Sequence, residues 1–272
     1  MSRDLLNAFP TWGLGLIIVG VFVALGLGGL LMVRRHLLHK GRLGSNDVAG
    51  VVLGVMAAIY GVVLAFAVVA LYEEFRATVS DVRKEATALS IVYRDSRGFP
   101  PAVAQAMRNE IGAYIDTVTL HEWPSLADGR ESELAWAEIR PLYDTMRTFS
   151  PRNEGEKVFY DETVRTLDAF VEARRARVGD AESALPTPFV ILLVGGGLLL
   201  LAGCLLFEIE SVLLHAVLTV GVAVLIGFSL LLTLTLEYPF SGGVTVSPAV
   251  FHQGGLVEFR PGYRQRRVGL KG

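Results

Sequence analysis

Charge is scarce in this chain, and four long stretches lack it almost entirely. Of 272 residues, 52% are hydrophobic and only 19% charged, whereas a soluble domain carries about a quarter charged residues. That shortage makes an integral membrane protein the first expectation. The net charge of −2 is too small to steer nucleic acid or any strongly charged macromolecule, so no nucleic-acid partner is expected. The one cysteine, Cys204, excludes an intrachain disulfide and a paired-cysteine metal site, and reads as a reduced thiol in an apolar run. Within residues 73–185 nothing alternates apolar and polar long enough to form a strand. No nucleophile, base and acid fall together, so an enzyme is not expected and no cofactor is implied. His121-Glu122 is too sparse for a metal pair, since adjacent residues diverge on a helix, and reads as a polar helix end beside Trp123-Pro124. Gly195-Gly196-Gly197 has no following Lys, Ser or Thr to make a phosphate cradle, and reads instead as a place for close helix contact.

What is present are four apolar stretches long enough to cross a bilayer: Gly13–Val33, Val48–Leu71, Phe189–Phe207 and Val212–Leu236. The first three carry no ionisable side chain, and the fourth only His215, read as a hydrogen-bonded histidine near the start of its helix. A proton-coupled or substrate-charged transporter needs ionisable groups at the midplane, and their absence argues against one. The first stretch ends at Arg34-Arg35 with no cleavage pattern after it and reads as a retained span. Ser45-Asn46-Asp47 offers N-caps for the second span, and Pro186 and Pro188 suit the start of the third. Spans three and four are separated only by Glu208–Ser211 and form a tight hairpin. Glu208 and Glu210 read as solvated, or as a cation-binding ring if copies of the chain assemble.

Four spans put both termini and the long 73–185 segment on one side. The loop between spans one and two, RRHLLHKGR, holds four Lys/Arg and no acid, which makes it cytoplasmic under the positive-inside rule and the 73–185 segment periplasmic. Flanking positives in that segment, including Arg76, Arg83, Arg174 and Arg177, count the other way.

The second span does not stop at the membrane surface. Beyond Leu71 no Gly or Pro intervenes before Gly98, so Val48–Arg97 reads as one rod of about 75 Å. Along it runs a three-four seam: Val51, Gly54, Ala58, Gly61, Ala65, Val68, Tyr72, Phe75, Val79, Val82, Ala86, Leu89 and Tyr93. The seam is small in the membrane and bulky beyond it, and it is expected to pack along the whole rod. Its small part, with Gly50 and Ala57, serves either close helix packing or, if copies surround an axis, a pore narrowed at Val68, Tyr72 or Phe75. Residues 73–185 read as helical throughout. Ala104, Met107, Ile111, Tyr114 and Val118 mark a helix ended by Trp123-Pro124. Glu131–Phe149 is a weaker helix interrupted by Pro141, and Tyr160, Val164, Leu167 and Val171 mark the last. The fold class expected is an all-α integral membrane protein of four transmembrane helices. A helical extramembrane stalk is inserted between spans two and three, and the regions are 1–72, 73–185, 186–237 and a post-membrane tail, 238–272.

Three separated motifs carry a resemblance: VVLAFAVVALYEEFRATVSDVRKEATALSIVYR (62–94), HEWPSL (121–126) and LEYPFSGGVTVSPAVF (236–251). In this order they resemble the bacterial bestrophin-like membrane family, a domain of unknown function, over nearly the whole chain. A weaker similarity reaches the bestrophin anion channels. Phe66, Tyr72, Glu73 and Phe75 match the end of the channel's second helix, and Pro239, Phe240 and Gly242 match its post-span motif. Two departures stand out. Ala67-Val68-Val69 is apolar where the channels are polar and basic, and Gly243–Val246 replaces the acidic run of calcium-gated members, so calcium gating is not implied. The resemblance implies a homo-oligomeric channel in the bacterial inner membrane, with lipid and small ions as partners, a pore lined by the second span and a cytoplasmic main domain. The residues themselves leave open a non-conducting scaffold or sensor whose stalk binds a partner.

Overall fold

Every regular element among the described residues is helical. The computed structural model describes residues 2–36, 46–182, 185–207 and 209–262. The distal part of the first loop with Lys40, Arg42 and Ser45, the hairpin residue Glu208 and the basic tail end lie outside them. The helices are α1 (Ser2–Ala8), α2 (Thr11–His36), α3 (Asn46–Asp95), α4 (Pro101–Thr117), α5 (Trp123–Ala127), α6 (Glu133–Thr148), α7 (Glu154–Glu182), α8 (Thr187–Leu205) and α9 (Val212–Glu237). Four of them, α2, α3, α8 and α9, are long and apolar enough to cross a membrane. The chain forms two compact units. One holds residues 1–74, 184–238 and 242–244, and the other holds 75–183, 239–241 and 245 onward.

In the first unit α2 packs against α9, and α8 against both. Lipid supplies no hydrophobic drive between helices, so contact depends on how closely the backbones approach. Gly227 allows that approach: a Cβ there would lie 2.9 Å from the Val19 Cα. Gly196 and Gly197 accept the Tyr60 ring, whose hydroxyl donates to the Leu193 carbonyl at 2.9 Å. This is the close helix contact expected of the triple glycine. Pro186 and Pro188 lie at the start of α8, where missing amide protons cost little. His215 is buried, with Nε2 3.0 Å from the Cys204 carbonyl across the α8–α9 hairpin. Ser211 caps α9 by accepting the Leu214 amide.

The second unit is built on one apolar core shared by α3, α4, α6 and α7. Met107, Ile111, Tyr114 and Val118 are buried, as their spacing implied, and so are Leu167 and Val171. Two expected breaks are not breaks. The helix does not end at Trp123-Pro124: a π-turn over Val118–Glu122 carries it into α5, with the Trp123 amide donating to the Val118 carbonyl. The widened turn makes room for the Pro124 ring, and the Ser125 hydroxyl bonds to the His121 carbonyl in that turn. Likewise α6 runs unbroken through Pro141, because Ala135, Ile139, Leu142 and Met146 anchor both sides of it in the core.

The Gly227 contact is testable. Gly227→Ala should force α2 from α9 and destabilise the purified protein by about 1–3 kcal/mol, read as a lower Tm in detergent. Gly221→Ala on the same helix, where nothing lies within 4 Å, should leave Tm unchanged.

Candidate functional site

Two features of α3 bear on function, one in each unit. In the membrane half, the face that packs against its own chain is Leu53, Met56, Tyr60, Ala67 and Leu71. The small-residue face does not pack there. Gly54, Ala58, Gly61 and Ala65 are exposed, and a Cβ at Gly54 or Gly61 would meet nothing within 4 Å. Val68 is half-buried and Tyr72 is 51% exposed. The expectation that the seam packs along its whole length therefore holds within one chain only outward of Tyr72. Phe75 and Val79 pack against the second core, and Val82, Ala86, Leu89 and Tyr93 are inside it. The physical reason lies in composition. Beyond Tyr72 the helix is charged, and burial shields Val82 and Leu89 from water, whereas the uncharged half is apolar enough to cross a membrane, where a bare Gly or Ala face costs little.

In the second unit the same helix delivers a carboxylate to the centre of the core. Glu85, Glu122, Arg174 and Arg177 are all fully buried. The Arg177 guanidinium donates from Nε to Glu85 Oε2 at 2.6 Å, and from Nη2 to Glu85 Oε1 at 3.1 Å and Glu122 Oε1 at 2.5 Å. Arg174 donates to the other oxygen of Glu122 and reaches Glu131 at 3.4 Å. The Tyr114 hydroxyl donates to Glu85 Oε1 at 2.5 Å. Burial, with the Glu85 carboxylate beside it, pushes the Tyr114 phenol well above its ordinary value. Burial alone would lower the Arg177 pKa, but Glu85, Tyr114 and Glu122 outweigh it and hold the guanidinium charged. Each cation also lies near an indole, Arg177 4.9 Å from the Trp123 centroid and Arg174 4.2 Å from that of Trp136.

Sequence reasoning missed this cluster. Glu122 is a buried ion-pair partner and not a polar helix end, and Arg174 and Arg177 are core residues and not flanking charges. The signal lay in helical spacing: Leu167, Phe170, Arg174, Arg177 and Ala181 form one buried stripe of α7. Around Arg177 the three motifs meet. The first supplies Glu85 and the second Glu122 and Trp123. The third reaches Trp123, whose Nε1–H donates to the Val246 carbonyl at 2.9 Å and whose ring meets Phe240 and Phe251 edge-on. Pro239 is buried, its carbonyl accepting the Val246 amide at 2.8 Å. The Ser241 hydroxyl donates to the Ala127 carbonyl at 2.6 Å. Within the first unit Gly242, at φ +79°, donates its amide to Asn7 of α1, a conformation L side chains rarely adopt. Nothing in the sequence had linked the tail motif to α1. No group of three or more His, Cys, Asp or Glu close enough to hold a metal ion occurs among the described residues.

Arg177→Met leaves two carboxylates buried without their shared cation and should cost about 3–5 kcal/mol. Arg165→Met on the same helix breaks only the exposed pair with Glu162 and should cost less than about 1 kcal/mol. Unfolding followed by tryptophan fluorescence in detergent checks both.

The sequence matches the Bestrophin-like domain over residues 20–251. No curated protein shows significant similarity to it. Among solved structures, a bacterial bestrophin homologue from Klebsiella pneumoniae, known as two single-residue variants, shares the fold. The TM-scores are 0.64 and 0.63, with 91% and 90% of this chain and 99% and 96% of that chain covered, at 11% and 12% identity. At that identity the likeness is one of fold.

Proposed function

This chain belongs to the bestrophin-like family, and from that premise we propose that it is a homo-oligomeric ion channel, passing anions in preference to cations, with α3 around the central axis. The observation that carries this reading is the bare small-residue face. Gly54, Ala58, Gly61 and Ala65 are uncovered in their own chain, as are Val55, Val62 and Phe66 beside them, while Leu53, Met56, Tyr60 and Ala67 on another face of α3 are packed. A span with one finished face and one unfinished, small-residue face suits assembly around an axis. The side chains outward of Ala65, Val68 and Tyr72 first and then Phe75, would narrow the path by apolar constriction. Since Ala67-Val68-Val69 offers no charge, selectivity would come from dewetting and from backbone and ring-edge dipoles, not from basic side chains. The unit of residues 75–183 is read as an extramembrane stalk inserted between spans two and three. The post-membrane motif Pro239, Phe240 and Gly242 is read as anchoring the tail, not as touching the ion.

Protein reconstituted in liposomes should pass chloride down a gradient. Gly61→Leu or Ala65→Phe should cut that flux at least tenfold while the oligomer still elutes intact. A particle that stays monomeric in detergent and lipid, with no flux under any gradient, would overturn the proposal.

We further place the 73–185 region on the periplasmic side of the bacterial inner membrane. Arg34 and Arg35 close α2 on the opposite side, while Arg174 and Arg177, which had counted against this orientation, are neutralised inside the core. In a Cys204→Ser background, Asp128→Cys in the exposed turn after α5 should react with a membrane-impermeant maleimide in cells whose outer membrane alone is permeabilised. Labelling only after the inner membrane is broken would place the region in the cytoplasm.

A further inference from the structure

We propose that the groove between α6 and α7 is a binding site for a small organic anion with a flat apolar body, of the aromatic carboxylate class. The groove is a cavity of about 520 Å³, within the range of small-molecule sites of about 300–1,000 Å³. Its α6 side is a stripe at steps of four, three and four, Trp136, Arg140, Tyr143 and Arg147, and α7 contributes Arg175. The floor is apolar, from the buried Ile139 and Val171.

The electrostatics are unbalanced in one direction. Three guanidinium groups line the groove against a single carboxylate, Asp144, which is already engaged by Arg147 at 3.3 Å. The Tyr143 hydroxyl is turned to Asp168 at 2.8 Å, and the Trp136 indole N–H donates to Glu131, which also meets the buried Arg174, so these two acids outside the lining are already engaged. Arg140 meets no acid among the described residues, and Arg175 stands over the Trp136 ring at 5.5 Å. A guanidinium offers a carboxylate two parallel donors, and its plane and the indole both stack on flat rings. The ligand that satisfies floor, rings and charge together is therefore a planar apolar body carrying one anionic group. None of its residues lies on the membrane half of α3, to which conduction is assigned above.

Trp136 also ties this groove to the core, because the buried Arg174 lies 4.2 Å from the same ring. Ligand bound against Trp136 thus changes the fluorescence of an indole that the protein already holds in place.

The test is equilibrium titration of the full-length protein in detergent with 2-naphthoate, read by isothermal calorimetry and tryptophan quenching. 2-Naphthalenemethanol serves as the uncharged control for partition into the micelle. Saturable one-to-one binding of the naphthoate, at least about tenfold tighter than the alcohol, is expected. Arg140→Gln combined with Arg175→Gln should weaken it about tenfold or more, with Tm unchanged because both side chains are exposed. Arg165→Gln, on α7 but outside the groove, should leave it as it was. Unsaturable uptake equal for the naphthoate and the alcohol would overturn the proposal. So would naphthoate binding undiminished in the folded double variant. The wild-type comparison decides the matter even if the double variant fails to fold.

Discussion

A guanidinium held dry between two carboxylates is the constraint on which the second unit depends. Removing such charges from water costs several kcal/mol per ion, and that cost is offset only when every partner arrives with good geometry. Arg177 comes from α7, Glu85 from α3, and Glu122 from the π-turn after α4. None of these helices can slide by a turn without leaving a charge buried alone. The π-turn follows from the same requirement, since it delivers Glu122 and Trp123 together at the one place where Pro124 would otherwise end the helix. Trp123 then passes the constraint on, stacking near Arg177 and holding the tail through the Val246 carbonyl. Buried ion pairs are weak evidence for stability as such. Their value here is in specifying register.

The first unit is held by different physics. Its contacts are close approaches, Gly227 against the Val19 backbone and the Tyr60 ring on Gly196 and Gly197, with few polar ties such as His215 to the Cys204 carbonyl. In lipid an apolar side chain gains little by turning inward, so a helix can keep one face bare. Helix α3 does this in its membrane half and does the opposite beyond Tyr72. One continuous helix thus packs by two rules, and the change between them falls where its seam switches from small to bulky residues.

Much of this was legible in the chain. The four spans, the uninterrupted α3 and the core stripes of α4 and α7 follow from run length, from the absence of Pro in α3 and of Gly beyond its membrane half, and from helical spacing. The proline at 141 misled, because the core contacts of Leu142 and Met146 outweigh one lost backbone bond. The charged residues at 85, 122, 174 and 177 misled more. Each sits on an apolar stripe, but a lone charge on a stripe reads as solvated until its partner is known, and the partners are 52 to 92 positions apart.

The sequence by itself determined that the chain is helical, that four of its helices are apolar enough to cross a membrane, and that one helix runs unbroken from an apolar half into a charged one. Those properties are local, set by hydropathy and period within a window of a few turns. Only the tertiary structure decided which face of α3 is spent on its own chain and which is left bare, and that three distant motifs converge on Arg177. Those are pairings between distant segments, and their energy exists only once the segments have met.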